Sequence, residues 1–239
     1  MTDVRAGSRS DARSPAAYEM VLAHIEDGLT RGRWRPGDRL PPERELAAQL
    51  GASRQAVREA IRVLQAQGVI RSQVGTGSES GTVVVPAPAR ALGRVLSLHL
   101  AVDSFPVGDV TEARVMLERF SADLAARRRS ASDLLRMDAE LDAMDADLDP
   151  FAFSEADIAF HVAIASAGGN RLVGELTRAI RESVRGVIVG AMQREEDWPG
   201  LRVRLRAEHR GIHAALSDGD GGLAADRIEA HIRAFHGRV

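Results

Sequence analysis

The stretch "PAPAR", residues 86–90, constrains this chain more than any other. Two prolines in five positions fix φ and remove backbone donors, so no regular helix or central strand can run through them. The chain reads differently on the two sides. Before the break lie helical segments and two β-prone runs, "VIRSQV" and "TVVV", joined by "GTGSESG". After it, every segment carries helical periodicity. The break predicts two domains on a semi-stiff linker, one mixed and one all-helical.

Residues 1–14 are polar, lack the apolar core of a secretion signal and are expected to form a disordered arm. Ser14 and Pro15 then open a helix whose apolar residues at 18, 21, 22, 25 and 29 hold one face. "RGRWRPGDRLPP" is too rich in turn residues for regular structure. "ERELAAQL" reads as a short helix, broken by "GAS". Ser53 caps the next, "RQAVREAIRVLQAQ", which Gly68 stops. Helix, helix, turn, helix and hairpin, in that order over 15–85, is the order of a winged helix-turn-helix.

Composition narrows what either half can do. No cysteine occurs, which excludes disulfides, iron–sulfur clusters and thiolate zinc sites, so any metal must be held by His, Asp, Glu, backbone or water. No run of about 18 apolar residues exists to span a bilayer, and the expected location is the cytoplasm. The net charge of −2 means that a polyanion would have to be met by a local patch. Up to residue 85 there are 12 Arg against 10 acids (+2), and beyond it 20 against 24 (−4), so the basic lean is N-terminal.

A helix-turn-helix lays its second helix in the major groove. Here Ala56, Val57, Ala60, Ile61 and Leu64 form that helix's apolar side, leaving Arg54, Gln55, Arg58 and Arg62 outward. Arg grips guanine and Gln grips adenine bidentately, and Ser53 with the helix N-terminus can hold phosphate. Taken alone, such a face could equally be solvated. The segment "GRWRPGDRLPPERELAAQLGASRQAVREAIRVLQAQGVI", however, resembles the DNA-binding domain of the GntR family of bacterial transcription regulators. The shared pattern is a glycine, Pro-Gly, Leu-Pro-x-Glu-Arg-x-Leu, a small-residue turn, Ser-Arg, then Val-Arg-x-Ala with Gly68 after the helix. The resemblance implies that Arg44, Arg54 and Arg58 contact DNA, assisted by Ser53 and Gln55. It also implies that Gly75, Thr76 and Gly77 enter the minor groove as the wing, although the tip is longer than the family's usual Gly-x-Gly-x-x-Val.

Beyond the linker and linker helix (86–108), residues 109–239 are expected to fold as an all-α bundle of about six or seven helices. Asp157 and His161, four residues apart, share a helix face. His209 lies on a later helix, "RAEHRGIHAAL", and His231 on the last, "RIEAHIRAF". Each His alone reads as a core or ion-paired residue. Together, one carboxylate and three imidazoles on three helices would suit zinc, nickel or another borderline divalent ion, if they converge. Residues from about 109 to 236 resemble the effector domain called FCD, found in the FadR-like branch of the GntR family. The resemblance rests on "EARVMLERFSADLAA", "DIAFHVAIASAGGN", "EHRGIHAAL" and "EAHIRAF".

That resemblance implies a metal held by Asp157, His161, His209 and His231, zinc first among the ions, and Arg114 as the partner of a small organic acid's carboxylate. Asn170 is a second candidate for the effector pocket, its alternative role being the cap of the next helix. His213, one turn after His209, could join the metal or sit beside it. The function expected is therefore a cytoplasmic, non-enzymatic homodimer, a repressor that binds a palindromic operator in double-stranded DNA and answers to a small carboxylate metabolite, with no membrane partner. Two other readings are a metal-dependent enzyme built on the helical domain, and a DNA-binding protein whose helical half responds to no ligand.

Overall fold

A computed structural model describes residues 15–73, 81–85 and 87–236, and these form two compact units, up to Pro88 and from Ala89 on. The wing-tip residues Gly75, Thr76 and Gly77 lie outside the described residues, as does the arm at 1–14.

The first unit holds α1 (Pro15–Thr30), α2 (Glu43–Leu50), α3 (Arg54–Ala66), β1 (Ile70–Gln73) and β2 (Gly81–Val84). Val21, Ile25, Leu46, Val57, Ile61 and Leu64 meet in its core. Ile70 and Val84 close that core from the hairpin, where they pair directly in the antiparallel register. The connection between α1 and α2 is more ordered than its composition suggests. Arg39 forms an antiparallel bridge with Val83, and Leu40 N–H donates to Thr82 O at 2.9 Å, so one residue of this segment extends the sheet. Pro36 and Gly37 before it and Pro41 and Pro42 after it keep the bridge that short.

The turn between α2 and α3 depends on Gly51, which ends α2 at φ 61° and donates its N–H to Ala47 O. An L side chain is disfavoured in this left-handed region even where there is room for it. Gly51→Ala should cost about 1 kcal/mol in chemical denaturation, and an unchanged midpoint would show that the turn is not held at that dihedral. Ser53 then caps α3, its hydroxyl accepting from Ala56 N–H at 3.1 Å.

The second unit is built from α4 (Ala89–Ala101), α5 (Val107–Arg128), α6 (Ala131–Asp145), α7 (Pro150–Ala167), α8 (Arg171–Arg194), α9 (Trp198–Ser217) and α10 (Gly221–His236). Side chains cap most of these helices: Ser130 with Asp133 as a capping box on α6, Asp149 on α7, Asn170 on α8 and Asp197 on α9. Helix α5 is central, packing against α7, α8, α9 and α10, while α4 lies along α8. Phe153, Phe160, Ile164, Ile212, Leu216 and Ile228 fill the core. The polar cluster described below is set into that apolar mass.

Candidate metal centre and nucleic-acid interface

On α3 the amphipathic division is complete. Ala56, Val57, Ala60, Ile61 and Leu64 are buried, and Arg54, Gln55, Arg58 and Arg62 are exposed. Arg44, on α2, is exposed as well. Arg58 leans toward Glu43 at 3.5 Å and Arg62 toward Glu59 at 3.4 Å. Such exposed pairs are worth little and are readily exchanged for another anion. The first unit thus presents guanidinium groups beside a capped helix N-terminus, where backbone N–H groups and the helix dipole favour phosphate.

In the second unit, Asp157 and His161 project from α7, His209 from α9 and His231 from α10. All four are buried, and one ligand atom from each lies within 4.8 Å of every other. Asp157 Oδ1 is the hub, at 2.9 Å from His209 Nε2, 3.7 Å from His231 Nε2 and 3.8 Å from His161 Nε2. Yet His161 Nε2 and His209 Nδ1 lack a hydrogen-bond partner among the described residues. Buried imidazole nitrogens left unpaired are costly, and a cation among them would satisfy them. Three imidazoles and a carboxylate form a donor set suited to a borderline divalent ion.

A second ring of charge orients these groups. Glu118 on α5 lies 2.8 Å from His161 Nδ1, and Glu208 on α9 bonds His231 Nδ1 at 2.7 Å. A carboxylate at Nδ1 leaves Nε2 for the centre. Arg181 on α8 is 1% exposed; it donates to Asp157 Oδ2 at 2.7 Å and to both oxygens of Glu118. Arg114 on α5 donates from Nε to Glu118 Oε1 at 2.8 Å, and no hydrogen bond engages its two terminal nitrogens among the described residues.

These contacts set the protonation states. Burial would raise the carboxyls of Asp157 and Glu118, but the Arg181 guanidinium overrides it and holds both well below the usual range. Burial, reinforced by Arg181, lowers His161 to about 3. His209 is lowered by burial and by its neighbour His231. His231 moves the other way: burial opposes its charge, but the carboxylates of Asp157 and Glu208 beside it outweigh that.

A narrow cavity of about 10 Å³ reaches this centre, lined by Asp157 and His231 together with Arg114, Met192 and Phe235. A second, of about 20 Å³, shares Arg114, Ile188, Ile232 and Phe235 with it. Asn170 lines neither. It caps α8 by accepting from Val173 N–H at 3.2 Å and borders a separate recess with Arg171 and Arg178. His213 stands outside the four-residue cluster, its Nε2 3.2 Å from Asp138.

Both halves match known families. Residues 109–234 match the FCD domain, and residues 17–79 match the bacterial regulatory proteins of the gntR family. The chain is a GntR-family transcription regulator with an FCD domain. It is 30% identical over 210 residues to the HTH-type transcriptional regulator LutR of Bacillus subtilis (strain 168), covering 85% of this chain and 92% of that one. Over 200 residues it is 30% identical to the putative L-lactate dehydrogenase operon regulatory protein of Escherichia coli (strain K12), covering 84% and 77%. The solved structure of Streptococcus agalactiae GntR shares the fold at a TM-score of 0.59 and 22% identity, over 90% of this chain and 97% of that one. These families are regulators, not enzymes.

Sequence reasoning did not single out three charged residues of this GntR chain: Glu118, Arg181 and Glu208. Two of them had a signal. Positions 174, 177, 181, 184 and 188 follow the 3–4 spacing of a buried helix stripe, and Arg181 is the charged member of it. Glu118 stands four residues after Arg114, on the same face of α5.

Proposed function

We propose that this GntR-family chain is a dimeric, effector-controlled regulator that binds a palindromic operator and senses a small carboxylate metabolite at a metal centre. One observation carries the reading. The Asp157–His161–His209–His231 cluster adjoins a cavity into which Arg114 projects. Asp157, His161, His209 and His231 would hold the ion, which supplies a Lewis-acidic contact for an anionic oxygen. Arg114 offers the fork that matches a carboxylate bidentately.

Charge balance supports an anionic effector. Arg114 and Arg181 offset Asp157 and Glu118, so a divalent ion brings a surplus of positive charge into a buried space, and an anion would neutralise it. Metal and effector should therefore bind with positive coupling, each tightening the other by the same factor. A relative whose name carries an L-lactate dehydrogenase operon fits a hydroxy- or oxo-acid class.

On the DNA side, Arg44, Arg54 and Arg58 contact the operator with Ser53 and Gln55, and the wing at Gly75, Thr76 and Gly77 reaches the minor groove. Two recognition helices in a dimer would sit about 34 Å apart, one helical turn of DNA. The effector alters operator affinity only through unequal affinity for the two dimer geometries.

A thermal-shift screen of small carboxylates against zinc-loaded and chelator-treated protein tests the sensing half. The expected result is a rise in Tm with acid that depends on metal. No carboxylate response in the zinc-loaded protein would end this reading. For the DNA half, Arg54→Ala should weaken operator binding by about 1–3 kcal/mol in a mobility-shift titration while leaving the melting temperature unchanged. Wild-type affinity would remove Arg54 from the interface.

A further inference from the structure

On the Arg114 side the metal centre is nearly closed: the space beside Asp157 and His231 is about 10 Å³, the room of a single water. A second approach is far wider. A surface groove of about 530 Å³ runs between α9 and α10, and its lining includes His231 and Glu208. His231 is the one residue common to both linings, so its ring is the wall between groove and centre. Its Nδ1 meets Glu208 Oε2 at 2.7 Å, and its Nε2 lies 3.7 Å from Asp157 Oδ1. Small residues keep the groove open. Ala207 and Gly211 stand one turn apart on α9, as do Ala230 and Ala234 on α10; the three alanines are exposed and Gly211 is half-buried. Besides His231, the lining holds one acid and one base. Glu208 keeps 39% of its side chain exposed in spite of its bond to His231. Arg227 lies across Gly211 and donates to Gly211 O.

We infer that the α9–α10 groove is the loading route of the metal centre: Glu208 meets an incoming divalent cation, and His231 passes it inward by turning its ring, with Arg227 opposing entry at the rim. The inference rests on the reading of Asp157, His161, His209 and His231 as metal ligands, and it adds how they are filled. A carboxylate on the floor of a groove raises the local concentration of a cation. The imidazole bonded to that carboxylate is the first of the three rings the cation reaches. Rotation of the His231 side chain is the one movement that joins the two spaces, and it requires Glu208 to let go of Nδ1. Glu208 and His231 therefore act together as the gate. The small side chains of Ala207, Gly211, Ala230 and Ala234 leave room for an ion that still carries water.

Zinc exchange by the full chain tests this, with uptake by stripped protein followed in stopped flow against a fluorescent zinc indicator and release followed into excess chelator. Ala207→Leu combined with Ala230→Leu fills the groove from both walls and replaces no ligand. The pair should slow uptake and release alike, by about tenfold or more, since it raises the barrier between two unchanged end states. The zinc Kd should accordingly stay at the wild-type value, whereas damage to the site itself would shift it. Arg227→Gln should speed uptake about two- to fivefold at low ionic strength and lose that advantage in about 1 M salt. Should the leucine pair fail to fold, Ala230→Leu alone, at an exposed position, should slow both rates by a smaller common factor. Wild-type exchange rates in the leucine variants would overturn the route and leave the metal site standing. No zinc bound by the wild-type chain at equilibrium would overturn both.

Discussion

Replacing Arg181 with leucine is expected to destabilise the protein by about 3–5 kcal/mol, because it leaves two buried carboxylates without their cation. Arg181 donates to Asp157 Oδ2 and to both oxygens of Glu118 from a fully enclosed position between α5 and α7. Leucine restores much of the volume, so a large loss would report charge rather than a cavity. Arg181→Lys keeps the charge but loses the fork, and should fall between leucine and the wild type. Glu118→Gln in the leucine background removes one stranded charge and should recover part of the loss.

The pH dependence gives an independent check on the Arg181 network. Asp157 and Glu118 have depressed folded-state values, so the stability they contribute is present above their unfolded pKa near 4 and is lost as pH falls through the depressed values. In Arg181→Leu the guanidinium no longer opposes burial, and acid should destabilise that variant less steeply than the wild type. Urea denaturation of the full chain between pH 3 and 7 measures both effects. A loss below about 1 kcal/mol at neutral pH would mean that the network is solvated in solution.

What could be read from the sequence was mostly what is local. Ser53 marks a helix start because a short oxygen side chain can reach the backbone N–H three residues on, and it does so in the structure. "PAPAR" separates the two units because proline interrupts both kinds of backbone ladder. Asp157 and His161 could be paired from spacing alone, since one helical turn joins them. Their convergence with His209 and His231 could not, because it depends on how α9 and α10 pack beside α5. The bridge at Arg39 was hidden among prolines and glycines, which signal turns and say nothing of a single residue between them. Arg181 was passed over because an arginine on a helix is by default a solvated one. Only the apolar and small residues one turn to either side mark it as buried. Asn170 takes the alternative role that the sequence offers: its oxygen caps α8, and neither Arg114-lined cavity includes it.

Metal affinity should rise with pH through and above 6.5, because binding an ion at this centre must displace a proton from His231 wherever that ring is still charged. In the metal-free protein His231 holds its proton to higher pH than a free imidazole does. Burial disfavours it, but the Asp157 and Glu208 carboxylates hold the ring's value above the usual one. His161 and His209 carry none at these pH values, since burial has pushed both down, His161 to about 3. The three rings also oppose one another in the stability of the metal-free chain. The contribution of His231 is fully present below pH 6.5 and is lost as pH rises through its raised value. His161 and His209 stay neutral when the unfolded chain takes up protons, so each lowers stability by up to about 1.4 kcal/mol per unit as pH falls below 6.5. Stripped protein should therefore lose stability on acidification below pH 6.5, and lose the His231 contribution as pH rises above 6.5 through that ring's raised value. Zinc at a thousandfold excess over Kd should add about 4 kcal/mol, and that gain should grow with pH across the window where His231 gives up its proton. Melting curves with zinc and with chelator at pH 6, 7 and 8 measure it directly. A zinc-induced gain that is the same at all three values would mean that His231 is neutral in the metal-free state, and its bond to Glu208 would then need a different proton assignment. No gain at any of them would remove the ion from Asp157 and the three histidines altogether.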